Sequence, residues 1–560
     1  MDVASSGGKA GPSLPKPRRC SSFSIPGNVR PCHSAAQRCS LKNPQLQQNQ
    51  HFSLDDVFLS CGNDSTAQPK RTSIFPMSSH KNACAVPTVL DAAEQIRANT
   101  LTPAELLEAS LDAIETLNPT LNAFGDVYQD AARANAEGLT REAAAGGLRG
   151  PLHGIPFGVK DLFSTANLRT TRGSLTSLDY VPDEDAPIIE RLKAAGAIII
   201  GKTATTEFGW TGASYSRVFG HGRNPWNPQL TSGGSSSGSA IAVAARMVPA
   251  TLGSDGGGSV RIPGSFCGVF ALKGTLGRIP TWPWSATEML SHAGPITRTV
   301  RDSALLFDIL SGPDPRDHQA LPAPTESFLA RCDRPLQPLR IAYCPTLFDV
   351  SVDAAIAKAV DDAVNLIADA LPVTIERKVL AWQDPLAVFE TLWVGGRGNV
   401  YGKSLRDKLD HLDPGFAALI ERSRDCTLAS YLSAVQQRAA FANQVHALFA
   451  RYDLLITPTL PILPFAAEKT GPEDAPDADD SGVPWARWTP FTYPFNLSGN
   501  PAASIPCGWS EGGLPIGMQV IGPRFADADV LQFCAAFEAL LPWDDRLPQI
   551  AIGTHRAEES

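Results

Sequence analysis

The sequence lacks several features that would assign it to common classes of protein. No run of about 18 apolar residues occurs, so no segment is predicted to cross a membrane as a helix. Cysteine is sparse, at 11 of 560 residues, and no pair has zinc-site spacing, which excludes a disulfide scaffold and favours reduced thiols. The net charge of −9 argues against nucleic acid as the main partner. With 43% hydrophobic residues, the chain can bury a sizeable core.

The first 76 residues lack glutamate and any hydrophobic periodicity. They are rich in Ser, Pro, Gln and Asn, and nine Lys or Arg against four Asp give this segment a charge of +5 and the remainder −14. We therefore expect residues 1–85 to be a disordered N-terminal extension and residues 86–560 to be the folded domain. An inert extension, or a misassigned start upstream of Met77, is favoured over an organellar transit peptide. The expected location is the cytoplasm.

Strand-like and helix-like segments alternate along the rest of the chain without a linker. Apolar runs predict strands at 155–159, 197–200, 340–344, 373–376 and 453–457. Helical patterns occur at 102–117, where Thr102 and Glu105 form a capping box, and at 130–145, 353–369, 429–451 and 527–541. This order predicts an α/β fold: a single large domain with a mixed central β-sheet flanked by helices.

The segment 231–263, TSGGSSSGSAIAVAARMVPATLGSDGGGSVRIP, contains two dense Gly/Ser clusters. Between them, residues 239–247 have the alanine-rich composition of a buried helix. A serine next to a run of glycines suits acyl transfer, because consecutive N–H groups can converge on a developing oxyanion where no Cβ blocks them. A flexible linker is the alternative, but linkers are not interleaved with Ala and Val.

This segment resembles the signature of the amidase signature family, a Gly-Gly-Ser-Ser cluster and an alanine-rich helix followed by Asp-x-Gly-Gly-Ser-x-Arg-x-Pro. Ser237, Ile241 and Arg246 depart from the usual Gly or Ala but remove no chemical group. Further segments match in order: GIPFGVKD, GAIIIGKTATTEFG, GRNPWNP, PITRTV and NLSGNPAASIP…GLPIGMQVIG. The resemblance covers about residues 86–545. It implies the amidase signature fold for 86–560 and hydrolysis of a small-molecule amide without metal or cofactor; a homodimer stays open.

The resemblance also implies a Ser–cis-Ser–Lys triad. In this scheme Ser259 is the nucleophile, Ser235 relays its proton after a cis peptide bond, and Lys160 is the base. A serine hydroxyl needs a base, and a lysine desolvated in an apolar pocket has a depressed pKa. Without the resemblance, Lys160 at a strand end would more often pair with a carboxylate such as the adjacent Asp161. The N–H groups of Gly256, Gly257 and Gly258 would form the oxyanion hole, and supporting residues would be Ser236, Asp255 and Arg261.

Two alternatives remain for the function. Some members of the family are transamidation subunits that pass ammonia within a complex, and only partner binding would separate that role from a free-standing amidase. Residues 234–238 also fit G-x-S-x-G, the nucleophile elbow of an esterase with Ser236 as nucleophile. The elbow needs a preceding strand, whereas GRNPWNPQLTS is predicted to be a loop, and a catalytic histidine, for which the chain offers His292, His411 and His446.

The substrate is the least determined part of the prediction. Trp282 and Trp284 follow the signature in a loop and favour an aryl or alkyl amide, while Trp210 and Trp393 are further candidates for an apolar pocket. The region 380–430 has little family resemblance, and specificity often resides in such variable segments.

A chain that begins at Met77 should keep the melting temperature and turnover of the full-length protein. Residues 1–76 lack the apolar content to join a core. Thermal melting and amide hydrolysis of the two proteins test this, and a large drop in either quantity would contradict the predicted disorder.

Overall fold

An eleven-stranded β-sheet runs through the molecule, and helices cover both of its faces. The structure, a computed structural model, describes residues 86–473 and 483–553. The predicted disordered extension, residues 1–85, lies outside the described residues, as does the centre of the acidic loop at 474–482.

The sheet is mixed, as predicted. In chain order the strands are β1 Phe124–Val127, β2 Pro156–Lys160, β3 Ile198–Thr203, β4 Tyr215–Ser216, β5 Gly220–His221, β6 Arg223–Asn224, β7 Asn227–Thr231, β8 Ala250–Asp255, β9 Phe270–Lys273, β10 His292–Thr297, β11 Leu339–Tyr343, β12 Val373–Arg377, β13 Leu454–Pro458, β14 Ala502–Trp509 and β15 Pro515–Ile521. The order in the sheet is β1-β3-β2-β8-β10-β9-β14-β15-β13-β11-β12, and β4–β5 and β6–β7 form separate two-stranded pairs.

The helices lie between these strands. They are α1 Val89–Arg97, α2 Pro103–Leu121, α3 Gln129–Ala144, α4 Pro187–Ala194, α5 Ser237–Ala244, α6 Arg261–Cys267, α7 Val300–Leu310, α8 Phe328–Cys332, α9 Ala354–Ala370, α10 Leu386–Trp393, α11 Asn399–Leu405, α12 Pro414–Arg422, α13 Leu428–Leu448, α14 Pro494–Ser498, α15 Asp527–Leu540 and α16 Gln549–Gly553. A π-helical turn, Val394–Gly398, joins α10 to α11. No helix within the described ranges is both long and apolar enough to cross a bilayer.

Successive side chains of a strand pack in different clusters of the hydrophobic core. In β3, Ile199 packs in a cluster with α1, α4, α7, α9 and α15, whereas Ile198 and Ile200 pack with α2, α3 and α5. This is the period of two expected for a strand that is buried on both faces. A third cluster, built from α10, α12 and α13, contains the side chains of Ala342 and Leu455 from β11 and β13.

Most elements predicted from sequence are present within a few residues of the expected bounds. The capping box is confirmed, since the Glu105 N–H donates to Oγ1 of Thr102 at 3.1 Å and the Thr102 N–H donates to Oε2 of Glu105 at 2.8 Å. Two predictions need correction. The segment GRNPWNPQLTS is not a loop, because it forms the β6–β7 pair, and strand β8 separates the alanine-rich helix from the second glycine cluster.

The order of strands brings distant residues to one edge of the sheet. Strands β2 and β8 are parallel neighbours, with Val159 opposite Leu252. Because the carboxyl ends of parallel neighbours meet at the same edge, Lys160 at the end of β2 lies beside Ser254 and Asp255 at the end of β8.

The N-terminal helix α1 is attached to the core by a buried carboxylate. Asp302, in the first turn of α7, accepts hydrogen bonds from the N–H groups of Val89, at 3.1 Å, and Leu90, at 2.9 Å. These two donors begin a helix and have no partner within it.

The substitution Asp302→Ala should therefore destabilise the fold. Two backbone donors would lose their acceptor, at a cost of about 3 kcal/mol in the free energy of unfolding. Thermal melting at a fixed scan rate checks this against Asp112→Ala, which removes an exposed carboxylate and should change stability by less than about 0.5 kcal/mol. Equal melting temperatures for the two variants would contradict the assigned contact.

Candidate active site

Two turns rich in Gly and Ser face each other at the edge of the sheet. The first precedes α5 and carries Ser235 and Ser236, and the peptide bond between Gly234 and Ser235 is cis, as predicted. The second joins β8 to α6 and carries Ser259. The backbones of the two turns are in contact, since the Ser236 N–H donates to the Ser259 carbonyl oxygen at 3.2 Å.

Lys160 lies beneath these turns with its side chain fully buried. Its Nζ is 2.7 Å from Oγ of Ser235 and 2.9 Å from Oγ of Ser236. It also contacts Ser254 of β8, at 3.0 Å from Oγ and 3.4 Å from the carbonyl oxygen. The contacts of Nζ are therefore serine oxygens, without a carboxylate in ion-pair range among the described residues.

This environment favours the neutral amine. Burial lowers the pKa of Lys160 well below its usual value, and the positive charge of Arg397 lowers it further, while Asp255 opposes the shift. Desolvation penalises an ammonium group, and neutral hydroxyl oxygens compensate only partly. The lone pair of Nζ is thereby made available to accept a proton.

Pairing of Lys160 with the adjacent Asp161 does not occur. Asp161 lies 3.9 Å from Nζ of Lys202, and one of its oxygens accepts a hydrogen bond from Thr171 at 2.5 Å. The side chains of Lys160 and Asp161, as neighbours in the chain, have separate partners. Lys202 has the carboxylate neighbour that Lys160 lacks, although burial still lowers the pKa of Lys202 to about 8.

The glycine turn is fixed from behind by a buried ion pair. Asp255 and Arg261 are both fully buried, and two guanidinium nitrogens donate to the carboxylate at 2.9 and 3.0 Å. Asp255 also accepts from the N–H of Gly258, at 2.7 Å, and from the amide of Asn496, at 2.9 Å. Burial by itself would raise the pKa of Asp255, but the charge and hydrogen bonds of Arg261, the charge of Lys273 and the hydrogen bond from Asn496 together outweigh it and hold this pKa below its usual range.

The ion pair also connects the turn to distant elements. Arg261 donates to Oε1 of Gln519 in β15, to Oδ1 of Asn496 in α14 and to the carbonyl oxygen of Thr492. Asp255 and Arg261, predicted as supporting residues, thus contact each other and not Lys160 or the serines.

Ser259 lies in the wall of a cavity. Its Oγ makes no hydrogen bond with another described residue, and Ser259 lines a cavity of about 200 Å³ together with Ser235 and Gly256. The N–H groups of Gly256 and Gly257 likewise make no hydrogen bond within the described ranges, whereas that of Gly258 is donated to Asp255. Gly258 has a φ of +133°, which L side chains rarely adopt.

The geometry disfavours the alternative with Ser236 as nucleophile. Ser236 is fully buried and does not line the cavity. His292 does line it, but its Nδ1 donates to the Leu290 carbonyl oxygen at 2.8 Å, and no carboxylate of the described residues orients the ring. His411 lies exposed in a separate segment.

Aromatic side chains form part of the cavity wall. Trp282 and Trp284 line it, as the sequence predicted, and their rings meet edge to face at 5.7 Å. Trp210 and Trp393 are instead core residues.

Sequence reasoning missed two contributors. Ser254 contacts Lys160, but it lies between the alanine-rich helix and the Asp-x-Gly-Gly-Ser motif and has the pattern of an ordinary strand residue. Arg397 lines the cavity from the π-helical turn, in the region 380–430, which carries no motif. For Arg397, the sequence gave one indication, which was the prediction that the region 380–430 contributes to specificity.

The comparisons with known proteins agree with the motifs. A family model described as Amidase matches residues 105–531. An acylamidase from Rhodococcus erythropolis is 32% identical over 463 residues, which cover 82% of this chain and 96% of that protein. A subunit of the glutamyl-tRNA(Gln) amidotransferase of Thioalkalivibrio sulfidiphilus is 34% identical over 495 residues, covering 82% and 99%.

A solved structure has the same fold as this chain. The structure of 6-aminohexanoate cyclic dimer hydrolase in complex with substrate superposes with a TM-score of 0.77 at 28% identity, covering 83% of this chain and 99% of that one. The chain therefore belongs to the amidase signature family.

Proposed function

We propose that this protein hydrolyses carboxylic amides through an acyl-enzyme on Ser259, with Ser235 as proton relay and Lys160 as base. The observation that carries the proposal is the buried Lys160, whose Nζ lies 2.7 Å from Oγ of Ser235 and has hydroxyl neighbours instead of a carboxylate. Burial lowers the pKa of this lysine and so favours the neutral form, which is the form that acts as a general base.

In the acylation step, Lys160 accepts the proton of Ser235, which takes the proton of Ser259. Oγ of Ser259 forms a bond to the amide carbon, and the carbonyl electron pair moves to its oxygen. The N–H groups of Gly256 and Gly257 are assigned to that oxyanion, at about 3 kcal/mol per donor. Gly258, whose N–H is engaged by Asp255, is assigned to holding the turn.

The return of the proton completes acylation. As the C–N bond breaks, the ammonium of Lys160 passes its proton through Ser235 to the leaving nitrogen, so that a neutral amine departs. Water then attacks the ester carbonyl, with the same relay removing its proton. As the C–O bond to Ser259 breaks, the relay returns that proton to Oγ of Ser259, and the carboxylic acid is released. Ser236, which bridges Lys160 and β8, is proposed to position the lysine.

A second candidate function is that of a subunit that passes ammonia within a complex. The similarity to the amidotransferase subunit, over nearly the whole of that protein, favours it. Hydrolysis of simple amides by the purified chain alone supports the free-standing amidase, whereas activity that emerges only with a partner supports the second candidate. The homodimer and the cytoplasmic location stay predictions.

Substitutions in the triad should affect the reaction in a fixed order. Ser259→Ala should abolish the acyl-enzyme, and Lys160→Ala should remove the base for every step. Ser235→Ala should reduce kcat by about 10²-fold or more, because water replaces the relay only partly. Single-turnover kinetics with a chromogenic anilide measure all three effects.

Ser236→Ala provides the matched control, because it changes a neighbouring hydroxyl that also contacts Lys160 but does not line the cavity. It should lower thermal stability and should reduce turnover far less than Ser235→Ala does, because Nζ of Lys160 keeps its contacts with Ser235 and Ser254. Labelling with a fluorophosphonate, followed by peptide mapping, should mark Ser259. A label on Ser236 would overturn the assignment of the nucleophile.

The rate should rise with pH through the depressed pKa of Lys160. Below that pKa the lysine is protonated and cannot act as base, so log kcat/KM should increase with pH toward a plateau. Because Arg397 lowers the pKa of Lys160, Arg397→Gln should move the rising limb to higher pH. A pH-independent rate from acid to alkaline solution would show that another group is the base.

A further inference from the structure

Arg397 is a buried cation without a counter-charge. Its exposed fraction is 7%, and Nη1 donates to the carbonyl oxygen of Phe208 at 2.5 Å. Cζ lies 4.0 Å from the ring centroid of Trp393. Nε and Nη2 have no hydrogen-bond partner, and no carboxylate lies within ion-pair distance of Arg397 in the described part of the chain.

A buried guanidinium without a carboxylate partner lowers the stability of the folded protein. Burial of a charge is tolerated when a partner and hydrogen bonds compensate it. Arg261, equally buried, meets this requirement through Asp255. Arg397 does not, and it stays charged at neutral pH, because burial lowers its pKa only to about 10.

Local structure places this cation at the cavity. Arg397 lies in the π-helical turn Val394–Gly398, a rare geometry that is frequent at functional sites. The turn packs closely on the loop that carries the opposite wall, since a Cβ on Gly396 would lie 2.7 Å from the carbonyl oxygen of Ala286. Arg397 and Ala286 both line the cavity that contains Ser235 and Ser259.

The remaining charges make the cavity cationic. Arg172 also lines it, with its guanidinium 4.5 Å from the ring centroid of Tyr180 and no carboxylate partner within the described ranges. The acidic residue that lines the cavity is Asp255, and its charge is compensated by the ion pair with Arg261. A ligand in the cavity therefore meets arginine charges that no protein carboxylate balances.

We propose that Arg397 binds a carboxylate of the substrate, and that this protein acts on amides that carry an acidic group near the scissile bond. Nη2, which has no hydrogen-bond partner among the described residues, donates to a carboxylate oxygen, and the guanidinium charge compensates the charge of the carboxylate. Trp282 and Trp284 would then contact the apolar part of the same molecule. This inference deepens the proposed function and rests on it.

Paired substrates test the proposal. One pair is succinic acid mono-4-nitroanilide and its methyl ester, with the acid on the acyl side; the other is 4-acetamidobenzoate and its methyl ester, with the acid on the amine side. The wild-type protein should prefer the acid in at least one pair by tenfold or more in kcat/KM. A preference for the ester, or none, in both pairs would overturn the proposal.

Variants assign the preference to Arg397. Arg397→Gln should bring the acid-to-ester ratio to about one, and Arg397→Lys should restore part of it. An effect of either variant on Lys160 cancels in the ratio, because both members of a pair use the same base. Arg438→Gln is the control: Arg438 is half-buried and donates to the carbonyl oxygen of Met289 at 3.3 Å, but does not line this cavity. It should leave the ratio unchanged.

A binding measurement separates this proposal from the proposed function. By calorimetry, the wild-type protein should bind 4-phenylbutyrate, which has no amide, at least tenfold more tightly than 4-phenylbutan-1-ol, and Arg397→Gln should bind the two alike. Selective binding without hydrolysis of any substrate would refute the proposed function alone. Equal binding of the acid and the alcohol by the wild-type protein would refute the carboxylate site.

Discussion

The ion pair between Asp255 and Arg261 is the interaction on which the geometry of the site depends. The turn that carries Ser259 has other contacts, from the N–H of Ser236 to the Ser259 carbonyl oxygen and from Oγ1 of Thr492 to the Gly257 carbonyl oxygen, but the ion pair is its charged and fully buried anchor. Asp255 holds the turn through the N–H of Gly258, and Arg261 ties it to Asn496 and Gln519. Removal of either partner would leave an uncompensated buried charge, which is more damaging than loss of the pair itself.

Lys160 and Arg397 show the opposite use of burial. In the ion pair each charge has a partner, whereas the buried side chains of Lys160 and Arg397 lie beside hydroxyls and carbonyl oxygens. For Lys160 the consequence is a lowered pKa, which suits its proposed role as base. Arg397 loses its proton less readily, so its buried positive charge remains and would be compensated by a bound anion. In our proposals, the same energetic cost of burial serves a base in one case and a group that binds substrate in the other.

The fold class and the residues of the proposed triad could be predicted because they reside in local patterns. Apolar runs marked β2 and β3, and the glycine motif marked Ser259. The β6–β7 pair was missed because Pro225 and Pro228 and the asparagines of that segment are typical of loops. A role for Arg397 could not be predicted from sequence. Its distinguishing feature is that no described carboxylate lies near it in the folded protein, and the sequence around it shows no periodicity.

The attachment of the glycine turn to Asn496 and Gln519 couples the site to the order in which the chain is made. The ribosome delivers Lys160, Ser235 and Ser259 well before α14 and β15. β15 is also an inner strand, between β14 and β13, so the sheet is incomplete until then. A nascent chain would thus carry Ser259, the proposed nucleophile, in a turn that is not yet fixed, and hydrolytic activity would appear only after β15 has been synthesised.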